Sequence, residues 1–248
     1  MDEQPDINLN DLMRDEEETA QEWVYRALRF AIMSGQLQPS QALTIRQIAG
    51  DLDVSAMPVR EALKRLTAEG ALTIKANRRI IVPTLVPARL AELIELRIEL
   101  ESFAALRAMP YVDENCIINL EILNSQQNKA FEDRDFQGII LGNQTFHRKL
   151  YTAHPHPVTM PMIEQLWLQI GPLHRLSLAK LPDHYTHDRH CDIIHSLRHH
   201  NPFGLKSAIE ADIRESIGFL TESDWLSEYS DNLPLPKRGY VKSLKHSG

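Results

Sequence analysis

Residues 55–66 read Ser55-Ala56-Met57-Pro58-Val59-Arg60-Glu61-Ala62-Leu63-Lys64-Arg65-Leu66. Val59, Ala62, Leu63 and Leu66 recur at three- and four-residue steps, the spacing of one apolar stripe along a helix, and Ser55 precedes them as an N-cap. Arg60 and Lys64, four apart, fall on one face opposite that stripe, with Arg65 beside them. An anchored apolar back and a row of long donors in front are what a recognition helix needs to enter a DNA groove. Ser55 adds a phosphate contact at the positive end of that helix. Toward the N-terminus, Asp53-Val54 is a tight connection. A shorter helix before it starts near Thr44, carries Ile45, Ile48, Ala49 and Leu52, and places Arg46 at its start. Pro39-Ser40 marks a turn, and a longer helix with Trp23, Leu28, Ala31 and Ile32 runs from an N-cap at Thr19 to Gly35. Toward the C-terminus, Gly70 ends the central helix. The β-prone runs 71–74 and 80–82 then flank a polar tip, Lys75-Ala76-Asn77-Arg78-Arg79, and read as a hairpin. Helix, helix, turn, helix, hairpin is the order of a winged helix-turn-helix, with Arg78 and Arg79 set to reach an adjacent minor groove.

The charge distribution agrees with that reading once it is divided. The 248 residues carry a formal net charge of −7, unlike a nucleic-acid binder. Residues 19–83, however, hold nine Lys/Arg against five acids, while residues 1–18 hold eight acids against Arg14 alone. Residues 84–225 are again acidic, and ten of the eleven histidines lie between 147 and 200. We therefore expect an acidic disordered arm at 1–18, a DNA-binding module at 19–83, a His-bearing domain at 84–225, and a tail at 226–248. No apolar run is long enough for a transmembrane helix, and the acidic N-terminus is unlike a secretory signal. Cys116 and Cys191 are too few and too far apart for a disulfide scaffold, which fits a reducing cytoplasm.

From Pro87 onward the periodicity is helical, with helices expected at 88–109, 113–132, 135–153, 158–178, 187–200 and 203–223. The fold class is mainly α: a winged helix-turn-helix followed by an antiparallel bundle. Within the bundle, Asn143 and His147 are four apart and address one point, and His190 and Asp212 on later helices could complete an ion site. From spacing alone, a lone histidine on a helix is more often a packed or surface group than a ligand. A rival set is His184, His187, His190 and Cys191, in which His187 and Cys191 stand at i and i+4, although Pro182 to Tyr185 reads as loop and a cysteine there as a small buried apolar group. His154 and His156 alternate with prolines and read as solvated, and His199-His200 as a helix end. A metal-dependent hydrolase using His147, His190 and Asp212 is the alternative function. No HExxH, nucleophile elbow or glycine-rich phosphate loop accompanies those residues.

The segments Met33-Ser-Gly-Gln-Leu-Gln-Pro39, Val54-Ser-Ala-Met-Pro-Val-Arg-Glu-Ala-Leu63, Arg65-Leu66 and Glu69-Gly70 resemble the GntR superfamily of bacterial transcription regulators. The helical region after the hairpin resembles the FadR-like branch, with its all-helical effector-binding and dimerisation domain. The resemblance implies a homodimer on a palindromic operator, contacted by arginines at 46 and 60, and a small-molecule effector in the helical domain. Three positions depart from the family pattern: Ser40 and Arg79 stand where it has glycine, and Ala56 where an arginine often contacts DNA. The branch often carries Asp-x-x-Phe-His and two later histidines as ligands for a divalent metal such as Zn, Ni or Mn. Here Asn143 replaces the aspartate, His147 and His190 match, and Asp212 replaces the last histidine. An amide is a poor ligand for zinc or nickel, so the resemblance implies a weakened or altered site. A small carboxylate effector would bind an open coordination position or an arginine. Arg97 and Arg175 are the candidates, with Glu101 as a competing partner for Arg97.

Overall fold

Side-chain caps fix where most helices begin. The computed structural model describes residues 12–178 and 187–221. Thr19 opens α1 (Ala20–Met33) with a capping box to Glu22, and Thr44 opens α2 (Ile45–Asp51) by accepting from the Gln47 amide. The third helix, α3 (Ala56–Ala68), departs from this rule. Ser55 occupies its N-cap position in extended backbone, yet its hydroxyl makes no capping bond. The residue three places on is Pro58, which has no N–H to donate, so the expected cap is missing and the hydroxyl stays exposed. Val59, Ala62, Leu63 and Leu66 are buried from α3 as expected, against α1.

The wing is larger than a hairpin. Strands β2 (Thr73–Ile74) and β3 (Ile80–Ile81) pair antiparallel, and β1 (Ala42–Leu43) joins on the far side of β3 to give the order β1-β3-β2. Two-residue β1 lacks any pattern of its own, and it forms because Ala42 and Leu43 lie opposite Ile81 and Ile80. Arg78, rather than Arg79, takes the left-handed conformation, at φ 60°. The tip closes by an Arg78 N–H to Lys75 carbonyl bond of 2.8 Å, which fixes the strained residue one place earlier than the glycine of the family pattern implies. At Ser40, where the family has glycine, φ is indeed 64°, and its hydroxyl is shared with that of Thr84 at 2.8 Å.

Leu12 to Glu18 were expected to be disordered but lie against α1. Trp23 donates to the Leu12 carbonyl at 2.7 Å, and Arg26 meets the Glu18 carboxylate at 2.7 Å. Residues 1–11, and the tail from 222 onward, lie outside the described residues.

The helical domain comprises α4 (Pro87–Ala108), α5 (Glu114–Glu132), α6 (Phe136–Tyr151), α7 (Met160–Leu178), α8 (Arg189–Arg198) and α9 (Pro202–Ile217). Helix α4 packs on α6, α7 and α9, while α5 packs on α6 and α8, and α8 on α9. The ends fall within two residues of the periodicity-based expectations for α4, α5, α6, α7 and α8. One hydrophobic core runs from Val24 in α1 through Trp167 in α7 to Leu220, so the two parts of the chain share buried apolar surface. None of the helices among the described residues is long and apolar enough to cross a membrane.

The junction of the two parts is built on α7. Gly171 faces the C-terminal end of α1 so closely that a Cβ there would lie 2.5 Å from the Ile32 carbonyl oxygen and 2.9 Å from the Met33 Cα. Both neighbours are backbone and have no rotamer to yield. Gly171→Ala is therefore expected to destabilise the chain by about 1–3 kcal/mol through overpacking, read as a lower urea midpoint. A wild-type midpoint in that variant would contradict the packing described.

Candidate nucleic-acid interface and buried polar centre

The basic groups of the first module divide into engaged and free. Arg65 lies over the Tyr25 ring, 3.7 Å from its centroid, and pairs with Glu69 at 3.1 Å. It is thereby bound back to α1 and does not join the donor face. Arg46, Arg60, Lys64, Arg78 and Arg79 are exposed, and among the described residues none of them forms an ion pair. Met57, 65% exposed, stands one turn before Arg60 on the same face, where every other large apolar side chain of α3 is buried. The uncapped start of α3 leaves the Ser55 hydroxyl and the first amide groups pointing at solvent from the positive end of the helix. This surface can accept anionic backbone and still offer donors to base edges.

The second cluster lies inside the bundle. Helix α6 contributes Asn143 and His147, α8 contributes His190, and α9 contributes Asp212; the last three are at most 2% exposed. His147 Nε2 is 3.0 Å from Asp212 Oδ2 and 3.3 Å from His190 Nε2. His190 Nε2 is 3.9 Å from Asp212 Oδ1 and 3.4 Å from Asn143 Nδ2. All four predicted positions therefore converge. The Phe146 ring stacks on His190 at 3.8 Å between centroids and closes that side.

Outer partners decide which way the imidazoles present their lone pairs. Asp188 accepts from Asn124 Nδ2 at 2.7 Å, so the Asn124 oxygen is left to accept from His190 Nδ1 at 3.0 Å. His190 Nε2 then carries a lone pair inward, and burial, with His147 opposing a second charge, lowers its pKa to about 4. On the other side, Glu101 is a fully buried carboxylate that accepts from Arg97 Nε at 2.7 Å, Trp167 Nε1 at 2.9 Å and the Tyr151 hydroxyl at 3.0 Å. Tyr151 donates its only proton to Glu101, so its oxygen faces His147 Nδ1 at 3.0 Å as an acceptor and Nδ1 must carry hydrogen. His147 Nε2 then meets Asp212 with either a bare lone pair and a cation between them or a proton. Either option places positive charge beside Asp212, one unit from an imidazolium or two from a divalent ion. Burial alone would raise the Asp212 pKa; the His147 hydrogen bond and the charges of His147, His190 and Arg97 together hold it below the usual carboxylate value.

The donor set fits a divalent ion. Ligand atoms on a tetrahedral ion with bonds of about 2.0–2.1 Å lie roughly 3.3–3.4 Å apart, close to the spacings here. Asp212 Oδ1 is buried and has no hydrogen-bond partner, as a group awaiting a cation would be. Each ligating imidazole is oriented from behind through its Nδ1, the arrangement that metal-binding histidines need. The adjoining cavity, lined by Gln127, Asn143, His174, Ser177, Asp212 and Ser216, has a volume of about 40 Å³. That is enough for an ion with a water but far below the roughly 300 Å³ of a site for a larger organic ligand.

The rival constellation does not assemble. His187 pairs with Asp192 at 3.1 Å on the surface, and His190 turns to His147 instead. Cys191 is exposed, not buried; its thiol donates to Asp188 at 3.3 Å, and partial burial with that carboxylate pushes its pKa up to about 11, which disfavours the ligating thiolate. His184 lies outside the described residues. Arg97 is 3% exposed and holds Glu101, with its Nη1 left without a partner. The Arg175 side chain lies outside the described residues. Sequence reasoning missed Tyr151, Asn124, Glu101 as a centre, and His174, whose pKa burial and Arg97 lower to about 3. Only Tyr151, four residues after His147, had a local signal.

Comparison with known proteins places this architecture. Residues 20–82 match the pattern of "Bacterial regulatory proteins, gntR family", and residues 92–215 match the "FCD domain". The chain belongs to the GntR family. It is 33% identical over 156 residues to the HTH-type transcriptional regulator McbR of Escherichia coli K12, covering 62% of this chain and 71% of that protein. The transcriptional repressor RspR from the same strain is 25% identical over 211 residues, covering 83% of this chain and 92% of the repressor. The solved structure of E. coli McbR/YncC superposes with a TM-score of 0.75 at 28% identity, over 83% of this chain and 98% of that one. This GntR-family chain is accordingly a transcription regulator with an FCD effector domain, and its relatives are regulators, not enzymes.

Glu101 is the hub of the buried network, and removing it strands Arg97 in the core. Glu101→Ala should cost about 3–5 kcal/mol in urea unfolding, whereas Arg97→Met combined with Glu101→Leu should recover most of that loss. A Glu101→Ala chain as stable as wild type would show that the network contributes little.

Proposed function

We propose that this GntR-family regulator binds a palindromic operator as a homodimer through residues 19–83, and that residues 84–225 bind the effector and dimerise. The observation that carries the reading is the set of exposed, unpaired cations at Arg46, Arg60, Lys64, Arg78 and Arg79 on the helix-turn-helix and its wing. In this reading Arg60 and Lys64 address base edges and phosphates in the major groove. Arg46 and the freed Ser55 hydroxyl meet the backbone, and Arg78 and Arg79 reach the neighbouring minor groove. Arg60→Ala should weaken binding to the protein's own upstream DNA by roughly ten- to a hundredfold and flatten its salt dependence, measured by mobility shift. Unchanged, salt-insensitive binding would remove α3 as the reading helix.

The effector arm of the proposal is a divalent ion, Zn, Ni or Mn, held by His147, His190 and Asp212, with Asn143 as a weak fourth group. Support comes from the converging ligand atoms and the unpartnered Asp212 oxygen. Such an ion would supply an open coordination position for a small carboxylate. The protein residues supply the rest: Tyr151 and Asn124 orient the imidazoles, and Phe146 covers His190. An ion at one hundred times its Kd should add about 2.7 kcal/mol of stability, read as a rise in Tm that His147→Ala abolishes. Elemental analysis without metal, together with no Tm shift from any of the three ions, would refute this arm.

A further inference from the structure

Helix α6 carries two pairs of side chains at the same four-residue step, one residue out of register. Asn143 and His147 point into the buried centre. Gln144 and Arg148 address α1 of the DNA-binding module. One residue is about 100° around a helix and 1.5 Å along it, so the two pairs occupy adjoining faces of one rod. Gln144 is 8% exposed and donates from Nε2 to the Met33 carbonyl at 3.0 Å. Met33 ends α1, where helix carbonyls have no partner within the helix. Arg148 binds one oxygen of Glu164 on α7, and the other oxygen of that carboxylate binds Arg29 of α1 at 2.7 Å. Helix α1 is thus held at Arg29 and Met33, one turn apart, by the residues next in sequence to the two α6 members of the centre. Gly171 supports the same end of α1 from α7.

We propose that Gln144 and Arg148 are positioning residues through which the His147–His190–Asp212 centre sets the attitude of the DNA-binding module. The proposal rests on the DNA-binding reading above and is independent of whether an ion fills the centre. Side chains stand about 5–6 Å from a helix axis, so a 10° rotation of α6 moves the Gln144 amide by about 1 Å. Directed along the bond, that displacement would stretch the 3.0 Å contact to about 4 Å, beyond hydrogen-bond range. Because α6 is one uninterrupted helix in a close-packed interior, adjustment at Asn143 or His147 reaches α1 with no loop between. A clamp that served stability alone would act equally whatever the state of the centre. A coupling element makes the effects of the two sites non-additive.

A double-mutant cycle tests this. The probe is a duplex enriched by the wild-type chain from a random-sequence pool. Fluorescence anisotropy at one fixed salt concentration gives its affinity for wild type, His190→Ala, Gln144→Ala and the double variant. His190→Ala should change affinity about three- to tenfold when Gln144 is present. The same substitution should change it about twofold or less, the scatter of independent sites, in the Gln144→Ala background. Equal changes in both backgrounds overturn the proposal, as does a His190→Ala chain that binds like wild type. Failure to enrich any duplex removes the DNA-binding reading and this inference with it. Gln144→Met, which keeps the volume without the amide, repeats the cycle if the Gln144→Ala chain melts early, and Arg148→Ala should reproduce the loss of coupling.

Discussion

Asp212 is a carboxylate carried by α9 into the middle of a helical bundle, and its charge must be met there. Several kcal/mol of desolvation would otherwise disfavour the fold. The answer involves five helices. His147 and His190 converge on it from α6 and α8, and each is turned by a partner on its far side. Those partners, Tyr151 and Asn124, are themselves fixed by two further buried or half-buried carboxylates, Glu101 and Asp188. Three anions and two imidazoles therefore determine one another's orientation. The geometry suited to an ion is a by-product of satisfying these groups, with one oxygen of Asp212 and Arg97 Nη1 left unmet.

The same economy operates at the join between the two parts. The winged helix does not hang from a linker; α1 lies against α7, with apolar packing at Ile32 and Gly171 and polar ties at Gln144 and Glu164. One hydrophobic core crosses the junction, so movement of the helix-turn-helix relative to the bundle requires these contacts to rearrange together.

Much of this was legible in the sequence, and the pattern of success has physical causes. Helices α1 to α9 were readable because each carries an apolar stripe long enough to show its period, and because hydroxyls, carboxylates, glycines and prolines stand at the ends. Strand β1 was not, since two residues have no periodicity and only the partner Ile80-Ile81 makes Ala42-Leu43 a strand. The strained position at the wing tip fell on Arg78 because turn closure from Lys75, which family resemblance does not report, decides it. In the buried centre, His147, His190, Asn143 and Asp212 came from motif likeness. Asn124 and Glu101 became visible only in three dimensions, because orientation from behind depends on what the fold brings near and leaves no spacing rule in the chain.

Pro58 has a consequence beyond the missing cap. Without a side-chain partner, the first amides of α3 keep their donors open at the end that points outward. In a capped helix those donors are already spent on a side chain; here they stay open to whatever acceptor approaches, water included.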